Sequence, residues 1–382
     1  MIVKKLRSVV KNRLNGFRIW LRVKTTSKEI KNLGFPHFSF SKIKKIDKYY
    51  DDIRNYNQSN NFDDLLFYKS LKLSQKHKPG SIKKVFLSEL IFKNVNLVNQ
   101  MSLFSIDNVQ NYFKEGDVVI VNNNDVFQTD DGLNKYLAIY SSSPDAIFII
   151  WDFDNHHNIK DASLLSLLCD FYIPAHIINS ELLVRFNPNF VGHVMPCVIQ
   201  WSRAFLVENS SKIIDSVRSN DPLGMHIKYD KFPVRNRNVQ RLNNFYNSIS
   251  FVDFSYHALS SLARLEEWST YKLHWVIPTY NDVPSRIFDA LITGGIPLVP
   301  DYLKYQLVDN ELINFVLFYK WEDLKDPRKI IDLALTQFDE LGREGCIQRY
   351  EYALNNCHVD QRIELILQRV SDFFNHNEKN LI

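Results

Sequence analysis

The pattern of apolar and polar positions is clearest between residues 271 and 302. Two continuous apolar runs, Leu273–Ile277 and Ile296–Val299, predict buried strands. Between them, residues 284–293 repeat apolar side chains at helical spacing and predict a helix. Gly294 is expected to end this helix, because the position after a helix often has a positive φ. A strand, a loop, a helix and a second strand in this order are typical of a parallel α/β sheet.

The same pattern extends in both directions along the chain. Apolar or β-branched runs predict further strands at Lys83–Leu87, Asp117–Val121, Ala146–Trp151, Phe171–Ile173, Leu223–Tyr229, Ile249–Phe254 and Phe315–Tyr319. Helical periodicity predicts helices at Asp131–Ser141, Leu164–Leu168, Val239–Tyr246, Ala258–Thr270, Pro327–Gly342, Arg343–Asn355 and Gln361–Phe374. The stretch that follows Leu87, as far as Phe113, is predicted to be partly helical. Strands that alternate with helices indicate a doubly wound, Rossmann-like architecture.

The length and composition of the chain allow two cores. It has 382 residues, of which 45% are hydrophobic, and this is enough for two or more domains. We predict a first Rossmann-like domain at residues 81–205 and a second at residues 206–370. Residues 29–80 form an N-terminal extension to which the pattern gives no role. Residues 371–382 form a tail, and its polar end HNEKNLI is expected to be frayed.

Residues 1–28 carry nine basic side chains and no acidic one. Their apolar residues recur at three- and four-residue steps, and Trp20 lies at the edge of the apolar face. A basic amphipathic helix with an aromatic residue is typical of an anchor on an anionic membrane surface. A helix packed on the first domain, with solvated charges, is the alternative. Nucleic-acid binding is disfavoured, because no second basic stripe accompanies this one.

The net charge, the cysteines and the length of the apolar runs indicate which class of protein this is. The net charge is only +4, so the molecule as a whole is not a polyanion-binding protein. Its four cysteines have no CxxC spacing and no matching histidines, which favours free thiols in a reducing compartment. No apolar run approaches the ~18 residues of a membrane span, and no signal-peptide pattern is present. We therefore expect a cytoplasmic protein, peripheral on the inner face of the cytoplasmic membrane.

The loop before the 284–293 helix is the first candidate binding site. A loop that leaves a parallel strand and enters a helix presents unpaired N–H groups, which suit an anion. Asp282 is the predicted N-cap of this helix, with Pro284 in the first turn and Ser285 beside it. Arg286 is electrostatically unfavourable in a first turn, and a bound phosphate would resolve this. Asp289 lies three residues further on the same face, so a surface ion pair is the alternative interpretation.

A second cluster of candidate site residues, made of aspartates and histidines, follows the apolar run Ala146–Trp151. The sequence WDFDNHHN places carboxylates and imidazoles beyond the end of a predicted strand, where ligands collect in open α/β sheets. Asp152, Asp154 and His156 are therefore candidates for a general base or an acceptor-binding group. A plain polar loop is the alternative. Adjacent histidines are a poor ligand spacing, so we predict no metal site.

A basic loop contributes further candidates. Lys231 and Arg235 follow the predicted strand Leu223–Tyr229. Successive parallel strands end at one edge of a sheet, so these cations could reach the same anion as Arg286. We place Tyr256, which follows the next predicted strand, in the same site. The alternative is a solvated basic loop.

Residues from about 221 to 370 resemble the C-terminal half of two-domain GT-B glycosyltransferases, and most closely the CgeB-like group of the family-one transferases. The matching segments are Arg286-Ile-Phe-Asp289-Ala290, Gly294-Gly295-Ile-Pro-Leu-Val, Tyr319-Lys-Trp-Glu-Asp-Leu and Cys357-His358-Val-Asp-Gln-Arg362. The resemblance implies two Rossmann-like domains that face each other across a cleft, with a nucleotide-sugar donor on the second domain. It also implies that Arg286 contacts the diphosphate and Asp289 the ribose hydroxyls, without a metal or other cofactor.

The resemblance and the residues together predict a function. We expect a glycosyltransferase that moves a sugar from a nucleotide-sugar donor to a glycan or lipid-linked acceptor, in the synthesis of a bacterial surface polysaccharide such as capsule or lipopolysaccharide. Two alternatives stay open. One is a non-catalytic nucleotide- or glycan-binding protein of a surface-coat assembly, and the other is a glycan phosphotransferase.

Overall fold

The computed structural model describes residues 82–95, 101–107, 113–156, 158–183, 187, 189–253, 259–307 and 309–379. The predicted basic helix at residues 1–28, the extension at residues 29–80 and Tyr256 lie outside the described residues. What is described is a mixed α/β protein with parallel sheets and flanking helices.

Five parallel strands form the first sheet, in the order β2-β1-β3-β4-β5. They are β1 (Lys84–Ser88), β2 (Met101–Phe104), β3 (Asp117–Asn122), β4 (Ile147–Asp152) and β5 (Phe171–Pro174). The inner strand β4 is buried along its whole length, as expected where helices cover both faces of a parallel sheet. Because the strands are parallel, the loops that follow them lie at one edge of the sheet, at the carboxyl ends of the strands.

Helices of up to eleven residues occur between residues 89 and 214. They are α1 (Glu89–Phe92), α2 (Asn123–Phe127), α3 (Gly132–Ser142), α4 (Ile159–Leu167), α5 (Ser180–Leu183), α6 (Arg203–Glu208) and α7 (Ser210–Ile214). The sequence prediction missed the strand β2 and the helix α2. The partly helical stretch after Leu87 contains the edge strand β2, whose half-exposed residues do not form a continuous apolar run. The polar residues after β3 form α2, because the Asn122 side chain accepts a hydrogen bond from the Asn124 N–H and caps it.

The second half of the chain contributes two more parallel ladders. Strands β6 (Gly224–Ile227) and β7 (Ile249–Val252) pair with each other, and β8 (Leu273–Trp275), β9 (Ile296–Pro300) and β10 (Leu317–Tyr319) form the order β10-β9-β8. Backbone hydrogen bonds between Leu223 and residues 273 and 275 join the ladders at β6 and β8. Five strands therefore end at one common edge.

The helices of this half are α8 (Pro233–Asn243), α9 (Ser261–Ser269), α10 (Arg286–Ile292), α11 (Asn310–Asn314), α12 (Arg328–Tyr352) and α13 (Val359–Lys379). Gly294 follows α10 with a φ of 77°, which confirms the predicted glycine stop. The predicted break at Gly342 is present as a kink inside α12. Among the described residues, no helix is both long and apolar enough to cross a membrane.

The last helix, α13, packs against the first sheet. Its residues Ile363, Ile366, Val370 and Phe374 are buried in one cluster with Ile149 and other side chains of the first sheet. The helix continues to Lys379, five residues beyond the predicted end at Phe374.

Candidate functional site

Two adjoining cavities lie at the carboxyl ends of the parallel strands. The arginine cavity, of about 260 Å³, is lined by Gln200, Met225, His226, Ile227, Tyr229, Arg235, Val252, Arg264, Trp268, Val276, Ile277, Thr279, Asp282, Pro284, Ser285, Arg286 and Asp289. The histidine cavity, of about 500 Å³, is lined by Asn124, Gln128, Phe153, Asp154, His156, His176, Pro196, Tyr229, Lys231, Phe232, Thr279, Asp282, Val283, Pro284 and Ser285. Five residues line both cavities: Tyr229, Thr279, Asp282, Pro284 and Ser285.

Arg286 begins α10, with Ser285 as the N-cap residue. Its guanidinium lies 4.9 Å from the centre of the Trp268 ring, where the negative face of the indole attracts a cation. One terminal nitrogen, Nη2, donates to the Met225 carbonyl in β6. These two contacts hold the half-buried side chain against the arginine cavity.

Asp289 lies one turn later and is buried, so the interpretation as a surface ion pair is wrong. Its Oδ2 accepts a hydrogen bond of 2.6 Å from Gln200 Nε2, and Gln200 Oε1 accepts one from Arg264. Burial raises the pKa of Asp289 to about 7, against the opposing effects of the Gln200 hydrogen bond and the charges of Arg286 and Arg264. Oδ1 has no hydrogen-bond partner in the described part of the chain. Asp289 therefore retains one buried carboxylate oxygen without a hydrogen bond from the described residues.

Arg235 links the ends of two strands. Its Nη1 donates to the Ile227 carbonyl at 2.7 Å, and its Nε donates to the Ile277 carbonyl at 3.2 Å. Nη2 lies 3.2 Å from His226 Nδ1. Since arginine only donates, this imidazole nitrogen is the acceptor. Burial, followed by the charges of Arg286 and Arg235, lowers the pKa of His226 well below its usual range, so this histidine is neutral at physiological pH.

Asp282 is a site residue that the sequence analysis assigned another role. It was predicted as the N-cap of α10, but α10 starts four residues later and Ser285 occupies that position. The carboxyl group is instead buried where the two cavities meet. Burial raises its pKa to about 7, although hydrogen bonds from Thr279 and the charge of Arg235 oppose this. Its Oδ1 has no hydrogen-bond partner among the described residues.

Asp154 and His156 line the histidine cavity, as part of the loop after β4. Asn123 Nδ2 donates to Asp154 Oδ2 at 3.0 Å, which fixes the carboxylate. The His156 ring packs edge-on against His176, with 4.4 Å between ring centres. Two of the three predicted catalytic residues are therefore close together at one wall.

His176 connects this wall to the loop before α10. The Val283 N–H donates to His176 Nδ1 at 3.1 Å, so this nitrogen carries no proton. Nε2 therefore carries the proton and donates to the Phe153 carbonyl at 3.0 Å. His176 was not predicted as a site residue, because this histidine follows β5 without any neighbouring polar cluster in the sequence.

Asp152, the third predicted catalytic residue, does not line either cavity. Its carboxylate accepts hydrogen bonds from the Tyr172 hydroxyl at 2.6 Å and from the Asp154 N–H at 2.8 Å. Burial raises its pKa to about 7, and these hydrogen bonds act in the opposite direction. Asp152 therefore shapes the loop that presents Asp154.

The other predicted site residues that the structure describes lie at the same two cavities. Lys231 is exposed at the histidine cavity, with Nζ 5.3 Å from the centre of the Phe232 ring. Pro284 and Ser285 line both cavities. Within the described ranges, no three His, Cys, Asp or Glu side chains are grouped as they would be around a metal ion.

This chain is similar to solved structures but matches no known sequence family. No protein-family model matches the sequence, and no curated protein matches it. A solved structure of the wall teichoic acid polymerase TagF is similar with a TM-score of 0.31 and 12% sequence identity, over 90% of this chain and 99% of that chain. Similarity at this level leaves the function to be argued from the side chains of the chain itself.

Proposed function

We propose that this protein is a glycosyltransferase that moves a sugar from a nucleotide-sugar donor to a glycan or lipid-linked acceptor in surface-polysaccharide synthesis. One observation carries the proposal. A cavity rich in guanidinium groups adjoins a larger cavity with carboxylate and imidazole groups, and Asp282 lies where they meet. Such a pair of sites suits an anionic leaving group on one side and an acceptor hydroxyl on the other.

The donor would occupy the arginine cavity, on the second of two facing Rossmann-like domains. Arg235, Arg264 and Arg286 line it, and guanidinium groups form strong, charge-assisted hydrogen bonds to phosphate oxygens. They would stabilise the negative charge that develops on the departing nucleoside diphosphate. The unpartnered Oδ1 of Asp289 would accept a hydrogen bond from a ribose hydroxyl, as the family resemblance implies.

The acceptor would enter the histidine cavity. In the transfer step, the acceptor hydroxyl oxygen bonds to the anomeric carbon, and the bond from that carbon to the diphosphate oxygen breaks. The diphosphate leaves with the bonding electron pair, and the hydroxyl proton passes to a base. Asp154 and His156 line this cavity and Asp282 borders both. A carboxyl group with a pKa of about 7, such as that of Asp282, is suited to accept this proton.

The membrane association of the enzyme is part of the same proposal. Nine basic residues within residues 1–28 would bind anionic lipid on the cytoplasmic face and place the active site near a lipid-linked acceptor. The enzyme would need no metal, because the arginine side chains supply the positive charge at the leaving group.

Release of free nucleoside diphosphate from a panel of UDP-, GDP-, ADP- and TDP-sugars tests this function. We expect one donor to be consumed, and expect Arg286→Ala to reduce the rate while the exposed Arg241→Ala does not. Binding of a nucleotide without turnover of any donor would instead indicate a non-catalytic binding protein. Release of a nucleoside monophosphate would indicate a phosphotransferase or a CMP-activated donor.

A further inference from the structure

Four aromatic side chains form a surface feature, the aromatic ridge, beside the histidine cavity. It consists of Tyr280, Tyr302, Tyr305 and Trp321. Tyr280 is 61% exposed, Tyr305 60% and Trp321 46%. Large aromatic side chains are costly to leave in water, and a contiguous exposed group of them is typical of a binding surface.

The backbone at Tyr280 is held in an unfavourable conformation. Its φ is 57°, in the left-handed region that costs energy for a residue with a Cβ atom. The Tyr302 hydroxyl donates to the Tyr280 carbonyl at 3.1 Å, and Gln306 Nε2 donates to the carbonyl of the next residue, Asn281. The neighbouring chain therefore stabilises a strained turn whose side chain projects mostly into solvent. Strain retained at an exposed aromatic residue indicates a functional role.

Further contacts restrain the other rings of the ridge. Tyr302 stacks on Trp321, with 5.6 Å between ring centres and 15° between ring planes. Gln306 Nε2 also lies 3.4 Å from the Tyr305 hydroxyl. Stacking and hydrogen bonds thus restrain Tyr302, Tyr305 and Trp321, and less conformational entropy would be lost when a ligand stacks on them.

The ridge is continuous with the proposed acceptor site. The Tyr280 ring packs edge-on against Phe232, with 5.2 Å between ring centres, and Phe232 lines the histidine cavity. Thr279 and Asp282, on either side of Tyr280 in the chain, line the same cavity. A ligand that lies on the ridge can therefore extend into the cavity without a break.

We propose that the aromatic ridge binds a saccharide chain, with its sugar rings stacked on the exposed aromatic faces. A pyranose ring presents an apolar face of C–H bonds and an edge of hydroxyl groups. The aromatic faces match the first, and the tyrosine hydroxyls match the second. That this chain is the acceptor rests on the proposed function, whereas saccharide binding by the ridge does not.

Binding of neutral oligosaccharides tests the ridge directly. Cellohexaose, maltohexaose and chitohexaose are titrated into the full-length protein, and binding is followed by saturation-transfer NMR and calorimetry. Tyr280→Gly removes the ring but tolerates the positive φ, and Trp321→Ala removes a second ring by an independent route. Phe245→Ala is the matched control, because this aromatic residue is 40% exposed but lies beyond the far end of α8.

We expect at least one oligosaccharide to bind the wild type and to bind each ridge variant at least fivefold more weakly, with Phe245→Ala unchanged. The proposal is wrong if no oligosaccharide binds, or if both ridge variants bind as the wild type does. It is also wrong if the ridge variants weaken binding of UDP or GDP instead, since the ridge would then hold a nucleobase. Ridge-dependent saccharide binding by a protein that binds no nucleotide would support the ridge and contradict the transferase.

Discussion

The buried carboxyl group of Asp282 allows a quantitative prediction. Its pKa is raised from 3.8 to about 7 by burial, so the native state binds its proton more tightly than the unfolded chain does. For an acid shifted in this direction, the ionised form destabilises the fold, and the cost appears as the pH rises above 3.8 and is complete above about 7. Asp282→Asn removes this cost, because the amide stays neutral at every pH.

The size of the effect follows from the shift. Each pKa unit corresponds to ~1.4 kcal/mol, so a shift of roughly 3 units gives a total cost of about 4 kcal/mol at pH 8. Somewhat more than 1 kcal/mol of this is already present at pH 5. The advantage of Asp282→Asn over the wild type should therefore grow by about 2–3 kcal/mol between pH 5 and pH 8. The amide nitrogen can occupy the position of Oδ1, which has no partner among the described residues to lose.

Urea unfolding at pH 5, 6, 7 and 8 measures this difference. Asp152 and Asp289, whose pKa values are also raised to about 7, contribute equally to wild type and variant and cancel in the comparison. The exposed Asp130→Asn is the matched control for replacing a carboxylate by an amide at the surface. If the advantage of Asp282→Asn is constant from pH 5 to pH 8, the carboxyl group is solvated and the reasoning is refuted.

Two further predictions concern the ends of the chain. Phe374→Ala should lower the free energy of unfolding by about 3–5 kcal/mol, because this ring is buried between α13 and the first sheet; urea unfolding measures it, with the exposed Phe245→Ala as control, and equal effects of the two would contradict the packing. Deletion of residues 1–28 should move the protein from anionic liposomes to the unbound fraction in a flotation assay. A truncated protein that still floats would show that the anchor lies elsewhere.

Local pattern predicted most of the parallel strands and the helix that carries Arg286. Continuous apolar runs such as that of β4 are distinctive, because a strand buried on both faces has no polar positions. The strand β2 was missed for the opposite reason: it lies at an edge, and its residues are mostly half-exposed. Edge strands lack the pattern on which the prediction depends.

The site was predicted in part, because sheet geometry brings the ends of successive strands together. Asp154, Lys231 and Arg286 reach adjoining cavities for this reason. The role of Asp282 was not predictable, since a carboxylate before a helix has the same local pattern whether it caps the helix or is buried. The position of α13 could not be predicted either. Its periodicity indicates an apolar face but does not say which sheet that face covers.

The central claim is that the arginine cavity binds a nucleoside diphosphate through Arg286. Calorimetric titration of the wild type, Arg286→Ala and Arg241→Ala with UDP, GDP, CDP and ADP tests it most directly. We expect at least one diphosphate to bind the wild type and Arg241→Ala equally, and to bind Arg286→Ala over tenfold more weakly, as the loss of ~1.5–3 kcal/mol from a charged hydrogen bond requires. Equal affinity for Arg286→Ala, or no binding of any diphosphate by the wild type, would contradict it.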